Sequence, residues 1–188
     1  MQKEAKLFID NSLILSPGLT YSATSAEGEG EVTVNQSSCL HQVGVTHLVS
    51  EDEAPAVRFS FQNSIIDCGQ FLVWLPLGNE ETLRKSLTYE ANQVLFLIGK
   101  GLLNSSPRPR IASRRVGALD RWEASQWAEF WGGSQKQVDI QKGFLIERAN
   151  LTERNLEEFM AAEFQAPEGF EDLGAGLESV GPLRTSLK

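Results

Sequence analysis

Residues 79–102 read NEETLRKSLTYEANQVLFLIGKGL, and the interpretation of the fold depends on this stretch. Its apolar residues recur mainly at the spacing that places side chains on one face of a helix. They are Leu83, Leu87, Ala91, Val94, Leu95, Ile98 and Leu102. Asn79 suits an N-cap, and Glu80 and Glu81 lie where the positive end of a helix dipole favours carboxylates. The stretch therefore predicts a long helix that packs across a sheet and supplies the central core.

The residues ahead of this stretch alternate between apolar and polar positions in short runs, a period typical of strands. The runs are 7–15, 20–24, 31–35, 40–49, 57–61 and 71–75. Clusters of Gly, Pro, Asn or acidic residues bound each run. Short strands at such regular spacing predict an antiparallel β-meander, either a curled sheet or a small barrel.

Further helix signals follow the stretch. Pro107 and Pro109 predict a loop, because proline removes a backbone donor and restrains the residue before it. A short helix is then expected over 120–131, and a third over 152–164, where Thr152 suits the N-cap and apolar residues flank it at the spacing of a hydrophobic staple. Residues 138–147 alternate weakly, which fits a late strand or a short helix.

These patterns predict one α+β domain over residues 1–188, in which the β-meander of the first half packs against about three helices. Residues 1–78 form the β-rich part and 79–164 the mainly helical part. Residues 165–188 form a tail or a docking arm, because they are rich in Gly and Pro and carry only scattered hydrophobic residues. A chain of 188 residues with 41% hydrophobic content is sufficient for one sizeable core.

Positive charge is concentrated in residues 108–121, which we call the arginine segment. It holds half of the ten arginines and no lysine, and its formal charge is plus four, whereas residues 7–57 contain no Lys or Arg and carry minus seven. Its arginines are Arg108, Arg110, Arg114, Arg115 and Arg121. A guanidinium group suits bidentate binding of carboxylate or phosphate better than an ammonium group does. The segment therefore predicts a binding site for negatively charged groups.

Aromatic residues follow the arginine segment at helical spacing. Three of them, Trp122, Trp127 and Trp131, are candidate partner-binding residues, because aromatic residues beside arginine are enriched at interaction hot spots. The alternative is that these tryptophans belong to the core, as they usually do on an amphipathic helix.

Cysteine and histidine are too sparse for a recognisable site. Cys39 and Cys68 are the only cysteines, which excludes a disulfide scaffold and a four-sulfur zinc site. On one regular strand Cys39, His41 and His47 face the same side, but the two histidines stand roughly 20 Å apart along it. We therefore predict neither a metal nor a cofactor. Catalysis by Cys68 or a histidine has no known spacing to support it.

The termini and the apolar runs bear on location. No signal-peptide pattern follows the first lysines, and the longest apolar run, 94–98, is too short to cross a bilayer, which takes roughly 20 residues. We expect a cytoplasmic protein that does not bind membranes.

Three functions remain open at this point. The first is a non-enzymatic accessory or adaptor subunit of a larger assembly, which docks through the arginine segment and the aromatic helix onto an acidic protein surface or a second copy of the chain. The second is a β-barrel that binds a small ligand or chromophore between Trp74, Phe59, Phe61 and Phe71. The third is a nucleic-acid-associated protein, which a net charge of minus eight disfavours.

Overall fold

The computed structural model describes residues 4–16, 19–23, 29–41, 44–48, 56–75, 80–99, 101–104, 124–145 and 166–175. The chain is built mainly from strands, with two short α-helices in the part described. The helices are α1 (Glu80–Ser86) and α2 (Ala124–Trp131), and a 3-10 turn at Gly132–Ser134 follows α2. No helix among these residues has the length and apolar content to cross a membrane.

Eleven strands are formed by the described residues. They are β1 (Glu4–Asp10), β2 (Leu13–Ser16), β3 (Leu19–Ala23), β4 (Glu29–Asn35), β5 (Ser38–His41), β6 (Gly44–Leu48), β7 (Ala56–Asp67), β8 (Phe71–Trp74), β9 (Leu87–Ile98), β10 (Leu103–Asn104) and β11 (Gln135–Lys142). One sheet holds β1, β4, β7, β9 and β11 side by side, with β2 and β5 alongside the second half of β7, and the other sheet holds β3, β6, β8 and β10. Each strand pairing in both sheets is parallel.

The register shows how the chain winds. Glu4 lies opposite Glu29, and Glu29 lies opposite Ala56. Val57 in turn lies opposite Leu87. After each turn, which we call a coil, the chain thus returns beside the strand from which that turn began. This is a parallel β-solenoid, in which each coil rests on the one before it.

In each coil the first stretch of strand bends at a residue with positive φ. These residues are Asn11 (φ 40), Gln36 (φ 44), Asn63 (φ 47), Gln93 (φ 53) and Gln137 (φ 51). They stack above one another, because the residues just before them are paired from strand to strand. A left-handed residue is sterically costly unless it is Gly, Asn or Asp. The repeated bend is therefore part of the architecture.

Aromatic side chains fill the centre of the solenoid. Phe59 and Phe61 stack with their ring centroids 5.6 Å apart, and Phe96 packs edge-on against Phe61 at 5.6 Å. Tyr89 occupies the position above Phe59 in the register, and all four residues are buried. Burial of large aromatic side chains supplies much of the hydrophobic stabilisation of such a core.

The predicted antiparallel meander, whether a curled sheet or a small barrel, is wrong. Most of the predicted strands exist, but each pairs with a strand about one coil away in sequence and runs parallel to it. Turn-forming residues mark where a strand ends and leave open whether the chain then makes a hairpin or a coil. Parallel pairing needs a connection of a dozen or more residues, and 18 residues lie between β1 and β4 and 20 between β4 and β7.

The prediction of about three helices packed on the sheet is also wrong. The first predicted helix ends at Ser86, after which residues 87–98 form β9. The second is present as α2, and the third, over 152–164, lies outside the described residues. Residues 138–147 include most of β11, which is a strand.

Residues 166–175 lie against the outer face of the solenoid. Leu173, Phe170 and Ala166 pack on a small cluster of buried side chains formed by Ile65, Leu95 and Leu97. The backbone N–H groups of Gly174 and Ala175 donate to the Asn63 carbonyl at 2.9 Å and to Ser38 Oγ at 3.2 Å. This segment explains why outward-facing residues of β7 and β9 are apolar.

Candidate functional site

Much of the predicted binding site falls outside the described residues. This applies to the whole arginine segment, with Arg108, Arg110, Arg114, Arg115 and Arg121, and to Trp122. Trp127 and Trp131 lie on α2, which follows the segment. The structure therefore locates the C-terminal flank of the predicted site.

Trp127 is completely buried at the end of the solenoid core. Its ring packs edge-on against Tyr89, with the centroids 5.2 Å apart, and lies 5.8 Å from Trp131. Trp131 is half-buried and contacts Tyr89 at 5.6 Å. Burial raises the pKa of the Tyr89 hydroxyl, so the ring presents a neutral surface to the helix. Trp127 thus fastens α2 to the core and has no exposed surface for a partner.

A second contact links α2 to α1. The guanidinium carbon of Arg84 lies 3.8 Å from the centroid of the Phe130 ring, and Phe130 packs edge-on against Trp131 at 4.7 Å. A cation above an aromatic face is attracted to it by the ring quadrupole. The two helices are therefore joined on the outside of the core as well as through Trp127.

The other flank of the arginine segment is also fixed. Leu103 is completely buried, and β10 pairs with the end of β8 through Leu103 opposite Val73. In the sequence, the arginine segment thus stands between two elements, β10 and α2, that both pack on the solenoid.

An open groove of about 280 Å³ lies near the first residues of β4 and β7 and the end of α1. Its polar lining comes from Glu29, Glu31, Arg58, Lys85, Ser86 and Thr88. Lys85 donates to Glu81 at 2.7 Å, and Glu31 lies 3.6 Å from the Lys6 ammonium. Two carboxylates and two cations cancel in formal charge, so the groove offers no net electrostatic preference for a charged ligand. No local sequence pattern predicts this groove, because its residues come from three coils.

The aromatic residues proposed to line a ligand pocket pack against one another. The space among Phe59, Phe61, Leu72, Val73, Leu87 and Tyr89 does not accommodate a water molecule. Phe71 is buried with its ring 6.0 Å from that of Trp74. The barrel itself is replaced by a solenoid, and this space has no room for a small ligand or chromophore.

The cysteines are buried in this core. Cys68 has no exposed surface, and its thiol donates to the Ile66 carbonyl at 3.6 Å. Burial raises the pKa of Cys39 to about 12, which keeps that thiol protonated and unreactive at neutral pH. A nucleophile must meet its substrate, and neither sulfur is at the surface.

The other groups considered for catalysis or metal binding lie on different strands. The Asp67 carboxylate is fully buried and accepts from the backbone N–H groups of Gly69 at 3.1 Å and Leu145 at 3.0 Å. It thereby ties the end of β7 to the chain after β11. His41 lies on β5 and His47 on β6, in different sheets. No cluster of metal-ligating side chains occurs among the described residues.

Comparison of the chain with protein-family models, curated proteins and solved structures gives no match. Its function is therefore inferred from its own residues.

Proposed function

We propose that the protein is a non-enzymatic accessory component of a larger assembly, and that it binds an acidic protein surface through the arginine segment. The observation that carries the proposal is the placement of the segment's two flanks. β10 precedes it and α2 follows it, and both are held by completely buried side chains, Leu103 and Trp127. A binding segment with both ends attached to a rigid scaffold loses less conformational entropy on binding than a free tail does.

Local charge supports the choice of an acidic partner. The segment carries plus four in a chain whose net charge is minus eight. At physiological salt, charges more than about 8 Å apart are largely screened, so the segment's own charge dominates at contact. At low ionic strength, where fields reach further, the net negative charge opposes approach to nucleic acid, which carries a charge about every 1.7 Å along its axis. A protein surface with scattered carboxylates presents a weaker opposing field.

In this proposal the helix α2 supports the site, whereas from the sequence alone its tryptophans are candidate partner-binding residues. Trp127 anchors α2, the helix that follows the arginine segment in sequence, to the core. We assign direct contact with the partner to the arginines and to Trp122. Trp131 is half-buried against Tyr89 and contributes mainly to the same anchor.

The test is affinity capture from native extract with the wild-type chain and with the double variant Arg114→Glu, Arg115→Glu. We expect the wild-type chain to retain partners at low salt that resist nuclease and that the double variant loses. The matched control, Arg148→Glu with Arg154→Glu, makes the same change of charge outside the segment and should retain them.

Two results would contradict the proposal. Equal loss in both double variants would mean that net charge, and not the segment, determines binding. Partners released by nuclease would instead indicate a nucleic-acid-associated protein.

A further inference from the structure

The first strand of the solenoid, β1, lies at one end of its sheet. β1 pairs with β4 on one side, and no strand within the described residues pairs with its other side. The N–H and C=O groups along such an edge are a template for another strand. An exposed edge of this kind is normally covered, charged or paired.

A large apolar side chain lies on this same strand. Phe8 points outward from β1 and is 65% exposed, and the other large hydrophobic residue exposed in the described chain is Phe144, at 44%. Phe8 is flanked on its own face by Lys6 and Asp10, both exposed. The edge therefore combines an apolar centre with one positive and one negative charge.

The opposite end of the solenoid also finishes in a strand, β11, with one described pairing, but the helix α2 contacts that strand. β11 pairs with β9 from Ala91 to Ile98, and the preceding part of β9 is met by α2 through Trp127 and Tyr89. A helix is wider than the spacing of about 4.8 Å between strands, so it protrudes where a further coil would stack. Head-to-tail stacking of copies is thereby hindered, whereas no helix or strand of the described residues stands on the outer side of β1.

We propose that β1 pairs antiparallel with β1 of a second copy, about a two-fold axis that passes beside Phe8. In this register Lys6 lies opposite Asp10 of the second copy, and Asp10 opposite its Lys6. Phe8 meets Phe8 on the outer face, and Leu7 meets Ile9 on the core face. The interface is isologous and closed, which is the commonest arrangement of homodimers.

Charge selects this register over its neighbours. Centring the pair on Leu7 places Glu4 opposite Asp10, and like charges directly opposite are destabilising. Centring it on Ala5 pairs Glu4 with Lys6 but leaves Phe8 exposed. The register centred on Phe8 forms two opposite-charge pairs and covers both rings.

The existing contacts of the two charged residues are compatible with this pairing. Lys6 lies 3.6 Å from Glu31 within the chain, and its side chain is still 45% exposed. Asp10 accepts from the Asn35 side chain at 2.8 Å and is exposed as well. A lysine on an edge strand ordinarily discourages pairing, and here Asp10 of the second copy neutralises it.

Disulfide trapping tests the register directly. Residues directly opposite in an antiparallel pair have Cα atoms about 4.5–5.5 Å apart, which a disulfide spans. Under a mild copper-based oxidant, Phe8→Cys should form a covalent dimer, whereas Phe144→Cys, changed at the other exposed phenylalanine, should form no covalent dimer. Both native cysteines are buried, so they add little background.

Sedimentation supplies a second readout on the unmodified chain. We expect twice the chain mass of 20.8 kDa for the wild type, and a shift to monomer for Phe8→Asp, which sets two carboxylates against each other. A monomeric wild type at high concentration would overturn the proposal, as would equal crosslinking of Phe8→Cys and Phe144→Cys. Growth into open-ended polymers would indicate head-to-tail stacking instead.

Discussion

Three serines follow the left-handed residues and form a hydrogen-bonded column along the solenoid. The Ser12 N–H donates to Ser37 Oγ at 3.1 Å, and the Ser37 N–H donates to Ser64 Oγ at 3.2 Å. Each hydroxyl donates to the carbonyl two residues before it, on Asp10, Asn35 and Gln62. At the bend, these backbone N–H groups thus donate to a serine hydroxyl of the next coil in place of a strand carbonyl.

Ser64→Ala should lower the free energy of unfolding by about 1–3 kcal/mol, because the buried Ser37 N–H loses its acceptor. Ser12→Ala is the matched control. Its hydroxyl makes an exposed bond to the Asp10 carbonyl, and surface changes of this kind are usually within about 0.5 kcal/mol. Urea unfolding measures both, and equal losses would show that the column does not stabilise the fold.

Cys39 makes stability depend on pH. Burial raises its pKa from 9.0 to about 12, so the unfolded chain releases the thiol proton at lower pH than the folded chain does. The stability that the buried, protonated thiol contributes is fully present below pH 9 and is lost as the pH rises from 9 towards 12. The free energy of unfolding should then fall by about 1.4 kcal/mol per pH unit across this range.

Two variants separate the effect of the Cys39 thiol from that of the buried Tyr89 hydroxyl. Cys39→Ala should be less stable throughout but should show a flatter decline between pH 9 and 10. Tyr89→Phe should keep the wild-type decline there, because the raised pKa of Tyr89 affects stability only above its ordinary value of 10. An unchanged slope in Cys39→Ala, measured by urea unfolding at each pH, would refute this assignment.

At the scale of elements, β9 shows how a bent strand can imitate a helix. Its inward residues are Leu87, Tyr89 and Ala91 before the bend, and Val94, Phe96 and Ile98 after it. The left-handed Gln93 shifts the alternation by one position. Leu87, Ala91, Val94 and Ile98 then stand at spacings of four, three and four, which matches one face of a helix. The apolar spacing indicates which residues are buried, but it does not distinguish a bent strand from a helix.

The helix α2 depends on one anchor. Trp127→Ala should lower the free energy of unfolding by about 3–5 kcal/mol, because it removes a fully buried ring from the end of the core. Glu129→Ala, on an exposed position of the same helix, should change it by less than about 0.5 kcal/mol. Thermal unfolding followed by near-UV circular dichroism measures both, and similar stabilities of the two variants would contradict the anchoring role of Trp127.

At the scale of the molecule, strand positions could be predicted and their direction could not. Alternation and turn residues locate most strands, because both are local properties. Parallel pairing depends on a repeat, and the repeat is visible only as Asn11-Ser12, Gln36-Ser37 and Asn63-Ser64, at intervals of 25 and 27 residues. Self-similarity at such a period is the mark of a solenoid. The groove residues and the buried state of Trp127 depend on which coils become neighbours, and no local pattern encodes that.

The C-terminal segment 166–175 should fold together with the solenoid, because it covers apolar residues of β7 and β9. Gly174 has a φ of +83, and a Cβ there would lie 2.4 Å from Ser38 Oγ and 3.3 Å from the Ile65 side chain. Gly169 has a similar φ of +86 with open space around it. Both Gly→Ala changes place an alanine in the left-handed region, which costs about 1–2 kcal/mol. The difference in unfolding free energy between the two variants therefore measures the clash of the Gly174→Ala methyl group with Ser38 and Ile65.

We therefore expect Gly174→Ala to be the less stable of the two and to raise hydrogen exchange both in 166–175 and at Ile65, Leu95 and Leu97. Gly169→Ala should keep these amides protected. If the segment and the two strands exchanged independently in Gly174→Ala, the segment would be an attachment to the solenoid and not a part of its cooperative core.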